Sequence, residues 1–190
     1  MEYRLIVFLG NPGHQYARTR HNVGWMVADR LGVGGSGQKK FKGVFAKEGR
    51  TALLKPETYM NRSGESVQAC AAFFSLRAED ILVVHDETEL FPGELQLKAG
   101  GGTAGHNGLK SVRERLGNDR FHRLRIGVGR PDRGSLSSYV LSAPTPDEMA
   151  TLEPVIDASA RLIEDILHRR DSSLAPRLAG GRRITPAEPG

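Results

Sequence analysis

Two short apolar runs, each followed by polar residues, limit the folds open to this chain. Residues 5–9 (Leu-Ile-Val-Phe-Leu) stop at Gly10-Asn11-Pro12-Gly13, and residues 81–84 (Ile-Leu-Val-Val) stop at His85-Asp86-Glu87. Runs without polar alternation are typical of strands buried on both faces of a parallel sheet. Ligands of open α/β sheets bind beyond the carboxyl ends of the strands. The sequence therefore predicts an α/β fold: a single domain with a central twisted, mixed, mostly parallel sheet and helices on both faces.

The rest of the chain divides into elements that suit this fold. Residues 43–47 and 51–55 are two short candidate strands, and Gly49-Arg50 between them suits a hairpin turn. A helix is expected after Asn22, its candidate N-cap, and another over residues 146–169, where apolar residues recur every three or four positions. The predicted domain covers residues 1–170. Residues 171–190 are dominated by Ser, Pro, Gly and Arg and predict a flexible tail.

Composition narrows the class of protein. The single cysteine, Cys70, excludes an internal disulfide and suits packing in a helix better than nucleophilic chemistry, because no charged residue adjoins it. The sequence has no cleavable leader pattern and no apolar stretch of 18 residues, so we expect a cytoplasmic protein without a membrane partner.

The positive charge is concentrated in one segment. The net charge is +5, and residues 98–130 contain eight basic and two acidic residues, whereas the remaining chain holds 19 basic and 20 acidic ones. A solvated helix face and a phosphate-bearing partner both explain such a segment.

A glycine-rich loop inside this segment invites a cofactor interpretation. Residues 100–105 match G-x-G-x-x-G between a candidate strand and a candidate helix over 107–116. A dinucleotide site needs a ribose-binding acid after the next strand, but the chain offers Gly129-Arg130-Pro131 there. The better interpretation is a loop of little bulk that lets a ligand approach the backbone and the helix amino terminus.

Two other polar segments have structural alternatives. Asn61 or Ser63 suits the N-cap of the helix that follows, which is a sufficient role for either residue. The acidic run after His85 suits a metal only weakly, since one histidine beside three carboxylates is a poor match to known ligand sets.

Taken together in chain order, these motifs resemble bacterial-type peptidyl-tRNA hydrolases from residue 4 to about residue 169. The resembling segments are Leu9-Gly10-Asn11-Pro12-Gly13, Tyr16, Thr19-Arg20-His21-Asn22-Val23-Gly24, Lys55-Pro56, Tyr59-Met60-Asn61, Ser63-Gly64, His85-Asp86-Glu87, Pro92-Gly93, Lys98, Gly100-Gly101-Gly102, Gly105-His106-Asn107-Gly108-Leu109 and Arg123-Leu124-Arg125-Ile126-Gly127.

The resemblance implies hydrolysis of the ester that joins a peptide to the 3′ end of tRNA. It implies His21 as the catalytic residue with Asp86 as its partner, and peptidyl-tRNA as the partner molecule of a monomeric enzyme without metal or other cofactor. The other implied roles are substrate binding by Asn11, Tyr16, Met60, Asn61 and Asn107, and binding of the terminal tRNA phosphate by Lys98 and Arg125.

The chain departs from the family pattern in three places. Thr103-Ala104 stands where the family often has His-Gly, Thr88-Glu89 stands where it often has Leu-Asp, and the segment after Arg170 is unlike the usual ending. We expect Ala104 to stiffen the glycine-rich loop.

The chemistry also suits the residues themselves. Histidine, with an ordinary pKa of about 6.5, is a natural base for ester cleavage by water, and a carboxylate on its other nitrogen fixes the tautomer. Ser63 does not lie in a G-x-S-x-G elbow, so direct attack by water is favoured over an acyl-enzyme. An inactive RNA-binding relative and an NADP-dependent oxidoreductase are the competing hypotheses.

Overall fold

The computed structural model describes residues 2–186, and its central feature is one sheet of 8 strands. The strand order is β2-β3-β4-β1-β5-β7-β6-β8. The strands are β1 (Leu5–Phe8), β2 (Gln38–Lys40), β3 (Gly43–Glu48), β4 (Thr51–Pro56), β5 (Ile81–Glu87), β6 (Leu95–Ala99), β7 (His122–Gly127) and β8 (Arg183–Ile184).

The centre of the sheet is parallel and its borders are antiparallel. Strand β1 pairs in parallel with β4 and β5, and β5 pairs in parallel with β7. Strands β2 and β3 extend one border and β6 and β8 the other, each pair antiparallel. Every residue of β1 and β5 is buried, as their apolar runs predicted. The carboxyl ends of these two strands lie side by side.

Helices cover both faces of the sheet, which confirms the predicted α/β architecture. The helices are α1 (Val23–Arg30), α2 (Val33–Ser36), α3 (Ser63–Phe73), α4 (Asn107–Leu116), α5 (Leu136–Val140), α6 (Pro146–Leu167) and α7 (Ala175–Leu178). Apolar residues of α1 and α6 pack on one face, and those of α3 and α4 pack on the other.

Two of the predicted helix caps have other roles. The side chain of Asn22 caps nothing; it accepts a hydrogen bond from the Asn11 backbone N–H and donates one to the Asn11 carbonyl, both at 2.9 Å. Ser63 donates its hydroxyl to the carbonyl of Met60 at 2.8 Å, and no side chain caps α3. Both polar side chains therefore fix the shape of a loop next to the sheet.

The segment after residue 170 contacts the domain. Leu174 and Leu178 are buried in the same core as α6, and β8 adds a border strand to β6. The predicted mobility of residues 171–190 stays a prediction, and residues 187–190 lie outside the described part of the chain.

Among residues 2–186, no helix combines the length and the apolar character that crossing a membrane requires.

Candidate active site

The first functional loop is held against the ends of β1 and β5 by a close contact. A Cβ on Gly24, the second residue of α1, would lie 2.6 Å from the Leu9 carbonyl oxygen and 2.7 Å from that of Val84. Only glycine allows this approach, which brings the short helical turn Arg20–Asn22 directly over the strand ends. His21 in that turn thereby reaches the end of β5.

His21 and Asp86 form a hydrogen bond of 2.8 Å between Nδ1 and Oδ2. Both side chains are buried. Burial disfavours the charged ring, but the charge and the hydrogen bond of Asp86 outweigh it and raise the pKa of His21 above 6.5. Because Asp86 accepts the Nδ1 proton, the free lone pair of the ring lies on Nε2.

His106 is the other partner of Asp86 and was not assigned a role from the sequence. Its Nε2 lies 2.8 Å from Asp86 Oδ1, while its Nδ1 accepts hydrogen bonds from the backbone N–H groups of Gly108 and Leu109. His106 is thus the N-cap of α4, and its cap bonds require the proton on Nε2, which donates to Asp86. Its position between the glycine-rich loop and α4 is the sequence signal that could have identified this cap.

Asp86 therefore accepts N–H groups from both histidines. Burial alone would raise its pKa, but His21 and His106 hold the pKa of Asp86 well below its usual range. The potential ligand atoms of these three residues lie within 4.8 Å of one another, close enough for a metal ion. In the present arrangement His21 Nδ1, both oxygens of Asp86 and His106 Nε2 are engaged in hydrogen bonds with one another instead.

The predicted substrate residues surround one cavity of ≈ 340 Å³. His21 and Asp86 line it together with Asn11, Tyr16, Met60, Asn61 and Asn107. The Oδ1 of Asn11 accepts the Met60 backbone N–H at 2.7 Å, so the Asn11 amide group keeps its Nδ2 donor for a ligand. Asn107 opens α4, whose first N–H groups lie beside the cavity.

A wall of this cavity was not anticipated from the sequence. Leu136 and Leu141, at the ends of α5, and Tyr59 all line the cavity and have large exposed apolar surfaces. Arg20, the residue before His21, anchors this wall: its guanidinium donates to the Tyr139 carbonyl at 3.1 Å and pairs with Glu148 of α6 at 2.5 Å. Its partners lie more than 100 positions away in sequence, so no local sequence pattern predicts these contacts.

Lys98 and Arg125 lie outside the cavity, and their surroundings differ. Lys98 is exposed. Arg125 is 5% exposed and pairs with Glu87 at 2.8 Å and Glu89 at 3.2 Å, with a further hydrogen bond to Gln96. A guanidinium already neutralised by two carboxylates is poorly placed for direct contact with phosphate. The same contacts engage Glu87 and Glu89 of the acidic run that was considered for a metal.

The glycine-rich loop wraps around Arg123. The buried guanidinium of this residue donates to the carbonyls of Gly100 and Gly102, and burial, followed by the charge of Arg125, lowers the pKa of Arg123. Ala104 has φ of +48°, a left-handed conformation that costs an alanine about 1–2 kcal/mol. The loop joins α4 to β6, an antiparallel border strand, so it lacks the parallel β-α-β setting of a dinucleotide site.

Comparison with known proteins gives a consistent family. A family model described as peptidyl-tRNA hydrolase matches residues 5–184. The chain is 46% identical to a peptidyl-tRNA hydrolase of Bordetella avium, covering 92% of this chain and 89% of the relative. It is 48% identical to one of Nitrosomonas europaea, covering 84% of this chain and 86% of the relative. The solved peptidyl-tRNA hydrolase of Acinetobacter baumannii superposes with a TM-score of 0.81 at 36% identity, covering 93% and 92% of the two chains.

Proposed function

Since this chain belongs to the peptidyl-tRNA hydrolase family, whose members cleave the ester between a peptide and its tRNA, we propose that His21 is the base that activates water for this cleavage. The observation that carries the proposal is the 2.8 Å hydrogen bond between His21 Nδ1 and Asp86 Oδ2. It leaves Nε2 to accept a proton, and within residues 2–186 no protein group hydrogen-bonds that nitrogen.

The reaction proceeds by direct attack of water. His21 Nε2 takes a proton as the water oxygen bonds to the ester carbonyl carbon, and the carbonyl oxygen becomes an oxyanion. The bond to the ribose oxygen then breaks, and the imidazolium returns its proton to that oxygen as free tRNA leaves. Asp86 holds the ring and stabilises its charged form, as the carboxylate of a hydrolase triad does.

Neutral amides bind the reacting group. The free Nδ2 of Asn11 is a donor for the oxyanion or an adjacent peptide carbonyl, and the amino terminus of α4 adds a favourable field. Asn61 and Asn107 bind the peptide backbone and water, while Tyr16 and Met60 form the walls of the site.

A covalent intermediate is disfavoured by the state of Ser63 and Cys70. Ser63 is fully buried and its hydroxyl donates to the Met60 carbonyl. Burial raises the pKa of the Cys70 thiol to about 12, which keeps it protonated at neutral pH.

The tRNA is bound through its terminal phosphate by Lys98, which is exposed and carries no ion pair among the described residues. A contact of Arg125 with this phosphate stays a prediction, since Glu87 and Glu89 would have to release the guanidinium. The enzyme is proposed to act as a monomer in the cytoplasm, where its substrate arises.

Single-turnover hydrolysis of peptidyl-tRNA by three variants tests this mechanism. We expect His21→Ala to slow the chemical step by roughly two to four orders of magnitude with little change in tRNA affinity. Asp86→Asn should slow it less, because the base remains but favours the wrong tautomer. The double variant should be little worse than His21→Ala, since a base and its positioning residue act as a unit. Additive losses would give Asp86 an independent role, and an active His21→Ala would overturn the mechanism.

A further inference from the structure

The short strand β8 continues one chemical face of the sheet. Gln96 of β6 lies opposite Arg125 of β7 on one side and opposite Arg183 of β8 on the other. Directly paired residues of neighbouring strands project to the same face, and alternate residues project to opposite faces. Ile184 packs with the core formed by α1 and α6, so Arg183 projects to the other face, which carries α4 and the glycine-rich loop.

Lys98 occupies the same face. It lies two positions after Gln96 in β6, which makes it a diagonal neighbour of Arg183, about 7–8 Å away between backbones. Its Nζ would lie 3.4 Å from a Cβ on Gly101, so its side chain extends beside the glycine-rich loop. The two long side chains therefore start close together on one strip of sheet.

This strip carries positive charges that are accessible to a ligand. Lys98 and Arg183 are both exposed, and neither has a carboxylate within ion-pair distance anywhere in residues 2–186. Two of the acidic groups on this face, Glu87 and Glu89, pair with Arg125. Such a strip complements a chain of phosphates, because each phosphate carries a negative charge that an exposed cation can neutralise.

We propose that Arg183 extends the tRNA-binding surface, contacting a backbone phosphate next to the one bound by Lys98. The C-terminal strand thus forms part of the RNA-binding surface as well as the border of the sheet. This inference rests on the proposed contact of Lys98 with tRNA, and it is independent of the chemistry assigned to His21.

The test is binding of deacylated tRNA to the full-length protein by fluorescence anisotropy over a series of salt concentrations. Arg183→Ala should weaken binding roughly three- to tenfold at low salt and reduce the slope of log K against log salt by about one, the signature of one lost phosphate contact. Arg183→Lys should retain the slope, and Arg183→Glu should weaken binding further than Arg183→Ala.

Arg182→Ala is the matched control, because Arg182 is also exposed and adjacent but precedes the strand on the alternate side. It should leave the slope unchanged, whereas Lys98→Ala should lower it. Equal losses in Arg182→Ala and Arg183→Ala would mean that net charge alone matters, which overturns the proposal. An unchanged slope in Arg183→Ala also overturns it, while a loss confined to Lys98→Ala would still leave the proposed function standing. Hydrolysis of a short ester without tRNA should be the same in wild type and Arg183→Ala.

Discussion

Asp86 is the residue on which the site depends, because both of its oxygens are used. One accepts from His21 and the other from His106, whose second nitrogen is fixed by the backbone of α4. The amino terminus of α4 therefore orients His106, His106 orients Asp86, and Asp86 orients His21. His106 acts on His21 through Asp86 and is therefore a positioning residue. Its role can be recognised from these contacts in the folded chain, not from the sequence alone.

The pH dependence of hydrolysis should report the charge of Asp86. Since His21 must be unprotonated to act as a base and its pKa is raised above 6.5, we expect kcat/KM to fall as the pH drops through a value above 6.5. In Asp86→Asn only burial remains to shift that pKa, and burial lowers it, so the acidic limb should move to lower pH while the maximal rate decreases.

Pre-steady-state rates across the acidic and neutral range measure both effects. Lys98→Ala should keep the wild-type limb, because it lies outside the cavity. The assignment of His21 as the base would fail if Asp86→Asn kept the same limb.

At the scale of elements, the catalytic turn and the cavity wall form one unit. Arg20 precedes His21 and carries the guanidinium contacts to α5 and α6, and its ring contact with Tyr139 lies at 4.0 Å from guanidinium carbon to ring centroid. The backbone N–H of Arg20 also donates to the Ser142 carbonyl at 3.1 Å. Loss of these contacts would release the wall and the catalytic turn together.

Two arginines that pair with α6 allow the contribution of the Arg20 contacts to stability to be measured. We expect Arg20→Ala to lower the free energy of unfolding by about 3 kcal/mol, because it leaves Glu148 without its buried partner. Arg30→Ala also removes an arginine paired with α6 but should cost less than about 1 kcal/mol, because Arg30 is 43% exposed and its partners are accessible to water. Urea denaturation of both variants decides, and equal losses would contradict the role given to burial.

At the scale of the whole molecule, the features predicted correctly from sequence are those written in local patterns. The runs at residues 5–9 and 81–84 and the hairpin at residues 43–55 follow from side-chain polarity and turn residues. The hydrogen bond between His106 and Asp86, the contacts of Arg20 with α5 and α6, and the pairing of β8 depend on partners that only the folded chain brings near. Arg125 shows the same limit, since a cation in a basic segment gives no sign of its two carboxylate partners, one of them buried.

The C-terminal segment offers a test of where the folded molecule ends. Leu178 is 1% exposed and belongs to the core under α6, so Leu178→Ala should lower the free energy of unfolding by about 2–5 kcal/mol, the usual cost of such a cavity. Leu141→Ala should cost less than about 1 kcal/mol, because Leu141 is already 44% exposed. If residues 171–186 were a mobile tail, Leu178→Ala would leave stability unchanged in chemical denaturation. If the segment were a separate unit, its unfolding in Leu178→Ala would appear as a second transition. If near- and far-ultraviolet circular dichroism instead report one and the same transition, the segment unfolds together with the domain.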